Sequence, residues 1–116
     1  MEQRDLVIIQ KIVKYCERIS SYMSDNGYDY NLFRENLMFQ DACCMCVVQI
    51  GELAGILSDE VKSYYKSIPW RVIKDTRNFY VHAYGSIDLQ AVWNTLVNDI
   101  PALRDSCNEI LGSVPE

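Results

Sequence analysis

The single histidine of this 116-residue chain, His82, lies in the stretch Arg77-Asn78-Phe79-Tyr80-Val81-His82-Ala83-Tyr84. Histidine changes charge near neutral pH and can take or give a proton, while arginine is a fixed cation suited to phosphate. Together they fit metal-independent RNA cleavage. One group takes the proton from the 2′-hydroxyl, another protonates the leaving 5′-oxygen, and a cation stabilises the charged phosphorane. Two acid-base groups are wanted, and one chain carries one imidazole. On a regular helix Arg77 and Tyr84 nearly share an azimuth, offset from His82 by about 140°. Arg77 and His82 therefore do not simply stack; a long Arg side chain can still reach round, but convergence between two copies across a symmetric interface is the easier geometry. A homodimer supplies two His82 and two Arg77. Asn78, one turn before His82, either orients the ring or satisfies a backbone group.

Other chemistries have less support. The chain has no Gly-rich phosphate loop, no H-E-x-x-H, no paired C-x-x-C and no G-x-S-x-G. Cys43, Cys44 and Cys46 do not make a metal site, because neighbouring helical residues point about 100° apart. With Cys16 and Cys107 they form an odd set that reads as buried, quiet thiols in a reducing cytoplasm. Asp59-Glu60 is explained as the acidic start of a helix. Arg71 and Lys74 can hold RNA phosphates or be ordinary solvated charges, and stay outside the catalytic core. For Tyr84, the bland reading is a ring packed at a helix end with its hydroxyl in water.

These residues need helices to hold them. From Leu6 to Met23, Ile9, Ile12, Val13, Cys16, Ile19, Tyr22 and Met23 fall at helical spacing, and Asn26-Gly27 is a stop. Tyr28 to Asn31 reads as a connection. Leu32 to Leu57 reads as one central helix, apolar on more than one side, with Gly51 and Gly55 placed for close helix packing. Ser58 caps a short helix through Tyr65. Pro69-Trp70 restarts the chain, and Trp70, Ile73, Thr76, Arg77, Tyr80, Val81 and Tyr84 continue at helical spacing to Gly85. Asp88 caps a last helix reaching Leu111, which Pro101 should bend. The expected architecture is all-α: four main helices and one short one in a single domain spanning residues 1–116.

Bulk properties set bounds on partners. Eleven Lys and Arg against sixteen Asp and Glu give a net charge of −5, so a broad basic face for nucleic acid is excluded and any RNA contact must be local. The longest uninterrupted apolar run, Ala42 to Val48, falls far short of the roughly 20 residues of a membrane span. The charged start Met1-Glu2-Gln3-Arg4-Asp5 does not resemble a secretory signal. The expectation is a soluble cytoplasmic protein without membrane contact.

Arg77-Asn78-Phe79-Tyr80-Val81-His82-Ala83-Tyr84 resembles the R-x4-H-x-Y motif of HepT-like toxins, within the HEPN superfamily of helical ribonucleases. Upstream, Asp41-Ala42, Ile50-Gly51-Glu52-Leu53-Ala54 and Ile68-Pro69-Trp70-Arg71 are similar to that family's central helix and the approach to its motif. Downstream, Ile87-Asp88-Leu89, Val92-Trp93 and Asn98-Asp99-Ile100-Pro101 are similar to its final helix. The resemblance implies a HEPN-like all-α homodimer in which Arg77 and His82 of both subunits line an RNA-cleaving cleft, with Asn78 in support and no cofactor for cleavage. It also implies an MntA-like minimal nucleotidyltransferase antitoxin that uses ATP and Mg to transfer AMP to Tyr84. Phosphate charge and nucleotide bulk added there would block RNA.

Two other readings stand beside this one. The net charge of −5 favours a non-catalytic helical subunit that docks a minimal nucleotidyltransferase. A structural helical dimer with a vestigial motif would lose nothing on substitution of Arg77 or His82.

Overall fold

The computed structural model describes residues 1–75 and 88–114. Its first element, α1 (Gln3–Asp25), follows directly from the apolar spacing: Ile9, Ile12, Val13, Cys16, Ile19 and Met23 are all buried. The helix stops as expected. Asn26 folds back through its amide to the carbonyl of Tyr22 at 2.7 Å, and Gly27 turns the chain with φ +66°. Tyr28 follows in the same left-handed region at φ 52°.

The stretch after the turn differs from the expected connection and single central helix. Two helices are present, α2 (Tyr30–Glu35) and α3 (Leu37–Gly55). Each has its own cap. The Asp29 carboxylate accepts the N–H groups of Asn31 and Leu32 at 2.9 and 3.3 Å, and the Asn36 side chain accepts that of Phe39 at 3.0 Å. Asn36 itself is extended, with φ −115° and ψ 104°.

Packing explains the break. On one continuous helix Phe33 and Phe39 would point about 120° apart. With the helix interrupted, their rings meet edge to face at 5.0 Å, and Trp93 closes on Phe33 at 5.2 Å. Gln40 ties the two helices together by donating to the carbonyls of Phe33 and Arg34 at 2.8 and 3.0 Å.

α3 is the central helix, packed against α1 and against α5 (Trp70–Asp75). By length and composition alone it is apolar enough to cross a membrane. Its place in the core accounts for that apolarity: Phe39, Cys43, Cys44, Cys46, Val47, Ile50, Gly51 and Ala54 are buried. The expected close approach that would need a glycine is not seen at Gly55, where a Cβ would lie 3.5 Å from Cδ and Cε of Lys74. That is ordinary contact, so Gly55 is permitted there without being required.

Ser58 caps α4 (Asp59–Tyr64) as expected, its hydroxyl accepting the Val61 N–H at 3.3 Å. Asp88 likewise caps α6 (Leu89–Asn94), accepting from Ala91 at 3.2 Å. The expected single last helix is seen: the backbone stays helical without a break from Leu89 to Ser113, with a π-helical turn at Thr95–Asp99 joining α6 to α7 (Ile100–Ser113). Pro101 is the reason for that turn. Its ring cannot donate an N–H and crowds the carbonyls of the preceding turn, and the widened turn lies immediately before it.

All elements among the described residues are helical, with no strand. The all-α expectation holds. Among the described residues one departure from the expected four main helices and one short one is seen, at Asn36, where the expected central helix is preceded by the separate α2. The expected continuation of α5 to Gly85 lies outside the described residues after Asp75.

Candidate functional site

The four residues singled out by sequence, Arg77, Asn78, His82 and Tyr84, lie outside the described residues. What the structure describes is the frame on either side of them. On the leading side, α5 is anchored by Trp70, which is buried and donates its indole N–H to the Tyr65 carbonyl at 3.2 Å. The first turn is closed by Ile73 donating its N–H to the Pro69 carbonyl at 3.0 Å. Ile73 packs partly buried against the core, while Arg71, Val72 and Lys74 face outward. On the returning side, Asp88 caps α6, and Val92 of that helix is buried. The residues between Asp75 and Asp88 are thus delivered from a helix packed on α3 and received by a capped helix.

Cations collect at the C-terminal end of α3. Lys62 of α4 donates its ammonium to the Gly55 carbonyl at 3.1 Å. The aliphatic stem of Lys74 from α5 lies against the same glycine. The end of a helix carries a partial negative charge from its free carbonyls, which favours nearby cations. The sequence reading weighed Lys74 and Arg71 but missed Lys62. The available signal was the run from Lys62 to Lys74, which holds four of the eleven Lys and Arg residues and no Asp or Glu.

The five thiols are all buried and free. Burial pushes Cys16, Cys43 and Cys107 up to about 12 and Cys44 up to about 11. Cys46 is raised for the same reason. None is a thiolate near neutral pH, so they are unsuited to nucleophilic chemistry, as the sequence led one to expect. Among the described residues no group of three or more His, Cys, Asp or Glu side chains is gathered to hold a metal.

The larger described cavity, about 640 Å³, lies between the start of α1, α4 and the end of α7. Glu2 and Glu60 stand in its wall with Tyr64 and Tyr65, and its described lining contains no basic side chain. Carboxylates there disfavour a polyanion. A smaller cavity of about 240 Å³, beside Tyr22, Asn36 and Phe39, is also without a basic group among its described lining.

Comparison with known proteins places the chain in a consistent company. The profile of the family described as Ribonuclease HepT-like matches residues 12–110. A relative from Methanocaldococcus jannaschii, named "Putative RNase MJ0125", is 26% identical over 117 residues, covering 100% of this chain and 99% of its own length. A relative from Thermococcus cleftensis, named "Probable ribonuclease HepT", is 30% identical over 81 residues, covering 62% of this chain and 74% of its own. A third, from Caldanaerobacter subterraneus and named "Putative RNase TTE0752", is 24% identical over 103 residues, 89% of this chain and 90% of its own. No solved structure matches the chain significantly.

Proposed function

Because this chain belongs to the HepT-like ribonuclease family, we propose that it is a metal-independent endoribonuclease acting as the toxin of a toxin–antitoxin pair. The observation that carries the reading is the extent of the family match. It runs from residue 12 to residue 110 and encloses Arg77-Asn78-Phe79-Tyr80-Val81-His82-Ala83-Tyr84 whole.

In the proposed reaction His82 removes the 2′-hydroxyl proton, and the 2′-oxygen attacks the adjacent phosphorus. As the new P–O bond forms, the bond to the 5′-oxygen breaks, and that oxygen receives a proton from the second His82 of a homodimer. Arg77 faces the charge on the phosphorane, and Asn78 orients the imidazole. The products are a 2′,3′-cyclic phosphate and a 5′-hydroxyl, and no metal is needed for the bond changes. The setting is the cytoplasm, where RNA and a nucleotidyltransferase partner are both present.

Neutralisation follows from Tyr84. An MntA-like nucleotidyltransferase, with ATP and Mg, joins AMP to the Tyr84 oxygen and releases pyrophosphate. The added phosphate carries negative charge close in the chain to Arg77 and His82 and opposes the RNA backbone.

The test is cleavage of RNA by the purified, unmodified protein in the presence of a chelator, with His82→Ala beside it. Cutting that falls by about 100-fold or more in the variant is expected for loss of a general acid-base group. Equal cutting by His82→Ala would remove the nuclease reading.

A further inference from the structure

We infer that Lys62, Arg71 and Lys74 form a phosphate-binding ridge that holds the RNA backbone on the approach to the cleavage residues. The inference rests on the ribonuclease reading and adds a substrate-holding surface to it. An acidic chain that must grip a polyanion needs a local basic surface, because its overall field is repulsive. The described molecule has one run that fits. From Lys62 to Lys74 there are four cations and no carboxylate, in a chain of net charge −5.

The fold brings these charges together. Lys62 arrives from α4 and Lys74 from α5, and both lie against Gly55 at the end of α3. Arg71 precedes Lys74 by three residues on α5, a spacing that makes them neighbours on the helix surface. Arg71 and Lys74 are exposed. Among the described residues, none of the three lies within ion-pairing distance of a carboxylate, as is also the case for Lys11, Lys14, Arg18 and Lys66.

Capping of α3 explains Lys62 in part, since its ammonium satisfies the Gly55 carbonyl. A carbonyl dipole does not neutralise a full charge, and capping gives no account of Arg71. The placement is also right for the substrate. Lys74 precedes Arg77 by three residues, so chain length alone keeps their Cα atoms within about 11 Å of each other. A strand held on this ridge is therefore held within reach of Arg77, the first residue of the motif.

The experiment measures binding of a short single-stranded RNA to the full chain carrying His82→Ala, so that cutting does not intervene, over a series of salt concentrations. Arg71→Gln with Lys74→Gln is expected to weaken binding about tenfold or more at ~0.1 M salt. The slope of log affinity against log salt should flatten by about 1.4, roughly 0.7 for each lost phosphate contact. Lys11→Gln with Lys14→Gln, which removes two exposed charges from α1, should leave both quantities in place. Lys62→Gln is read with a thermal melt, because it also gives up the bond to Gly55; weaker binding by a fully folded Lys62→Gln protein supports the ridge.

Unchanged affinity and slope in the Arg71/Lys74 variant, or an equal loss in the α1 control, overturns the ridge. If RNA is still cut by the unsubstituted protein in that case, the ribonuclease reading survives and only the ridge falls. If the unsubstituted protein neither binds nor cuts RNA, both fall.

Discussion

Asp5, in the first turn of α1, accepts the Ser58 backbone N–H at 3.0 Å and its hydroxyl at 2.8 Å, across 53 residues of chain. Asp5 is only 3% exposed, and the same Ser58 hydroxyl accepts the Val61 N–H at 3.3 Å. One carboxylate thus fixes the cap of α4, and α4 in turn holds Lys62 against the end of α3. Hydrogen bonds to a charged group contribute about 1.5–3 kcal/mol each, and a buried donor left without a partner costs more than the bond was worth. Asp5→Ala should lower the unfolding free energy by about 2 kcal/mol or more in urea titration. A loss within about 0.5 kcal/mol, the range of ordinary surface substitutions, would contradict the arrangement.

Asn36 separates α2 from α3 by taking the Phe39 N–H into its side chain while its own backbone stays extended. Asn36→Ala should cost about 1 kcal/mol, and Asn36→Asp should recover most of that, because either side chain can accept the same N–H. Equal losses for both substitutions would mean that the cap is not what sets the break. Urea midpoints of the three proteins decide it.

How much of this was readable beforehand depended on whether a residue acts through its own spacing or through what folds onto it. The stripe on α1 and the caps at Ser58 and Asp88 act locally, and their positions were correctly read. Asn36 was not, since Leu37 and Met38 continue an apolar pattern on paper yet are 72% and 83% exposed. Only the meeting of Phe33, Phe39 and Trp93 shows why the chain must turn there. Arg77, His82 and Tyr84 are singled out by their types and order alone, and they lie outside the described residues. Lys62 was not legible, because its partner is the Gly55 carbonyl, reached only after the chain reverses between α3 and α4.

The buried thiols make stability depend on pH on the alkaline side. Their ordinary value is 9.0, and burial pushes Cys16, Cys43 and Cys107 to about 12. Below pH of about 9 the thiols are protonated in both folded and unfolded chains, so they do not bias folding. Above it the unfolded chain loses protons that the folded chain keeps, and stability falls as pH rises toward the folded values. Each such thiol removes up to about 1.4 kcal/mol per pH unit in that window. Urea midpoints should therefore drop steeply between pH of about 9 and 10, and thiol reagents at pH of about 8 should label the folded chain slowly and the urea-unfolded chain at once. Rapid labelling of the folded chain would contradict the burial.

Tyr84 is the proposed point of control, and its substitution separates catalysis from neutralisation. The tyrosine follows His82 by two residues and Arg77 by seven, so AMP on its oxygen puts a phosphate charge near the groups that must receive RNA. Phenylalanine keeps the ring and removes the only atom that can take the nucleotide. Tyr84→Phe should cut RNA at close to the unsubstituted rate, show no AMP increment by intact mass, and continue to cut after incubation with the nucleotidyltransferase, ATP and Mg. The unsubstituted protein under the same treatment should gain AMP and lose cleavage. If Tyr84→Phe is silenced as fully as the unsubstituted protein, the control point is a different residue, whereas loss of cutting before any treatment would place the hydroxyl in the reaction itself.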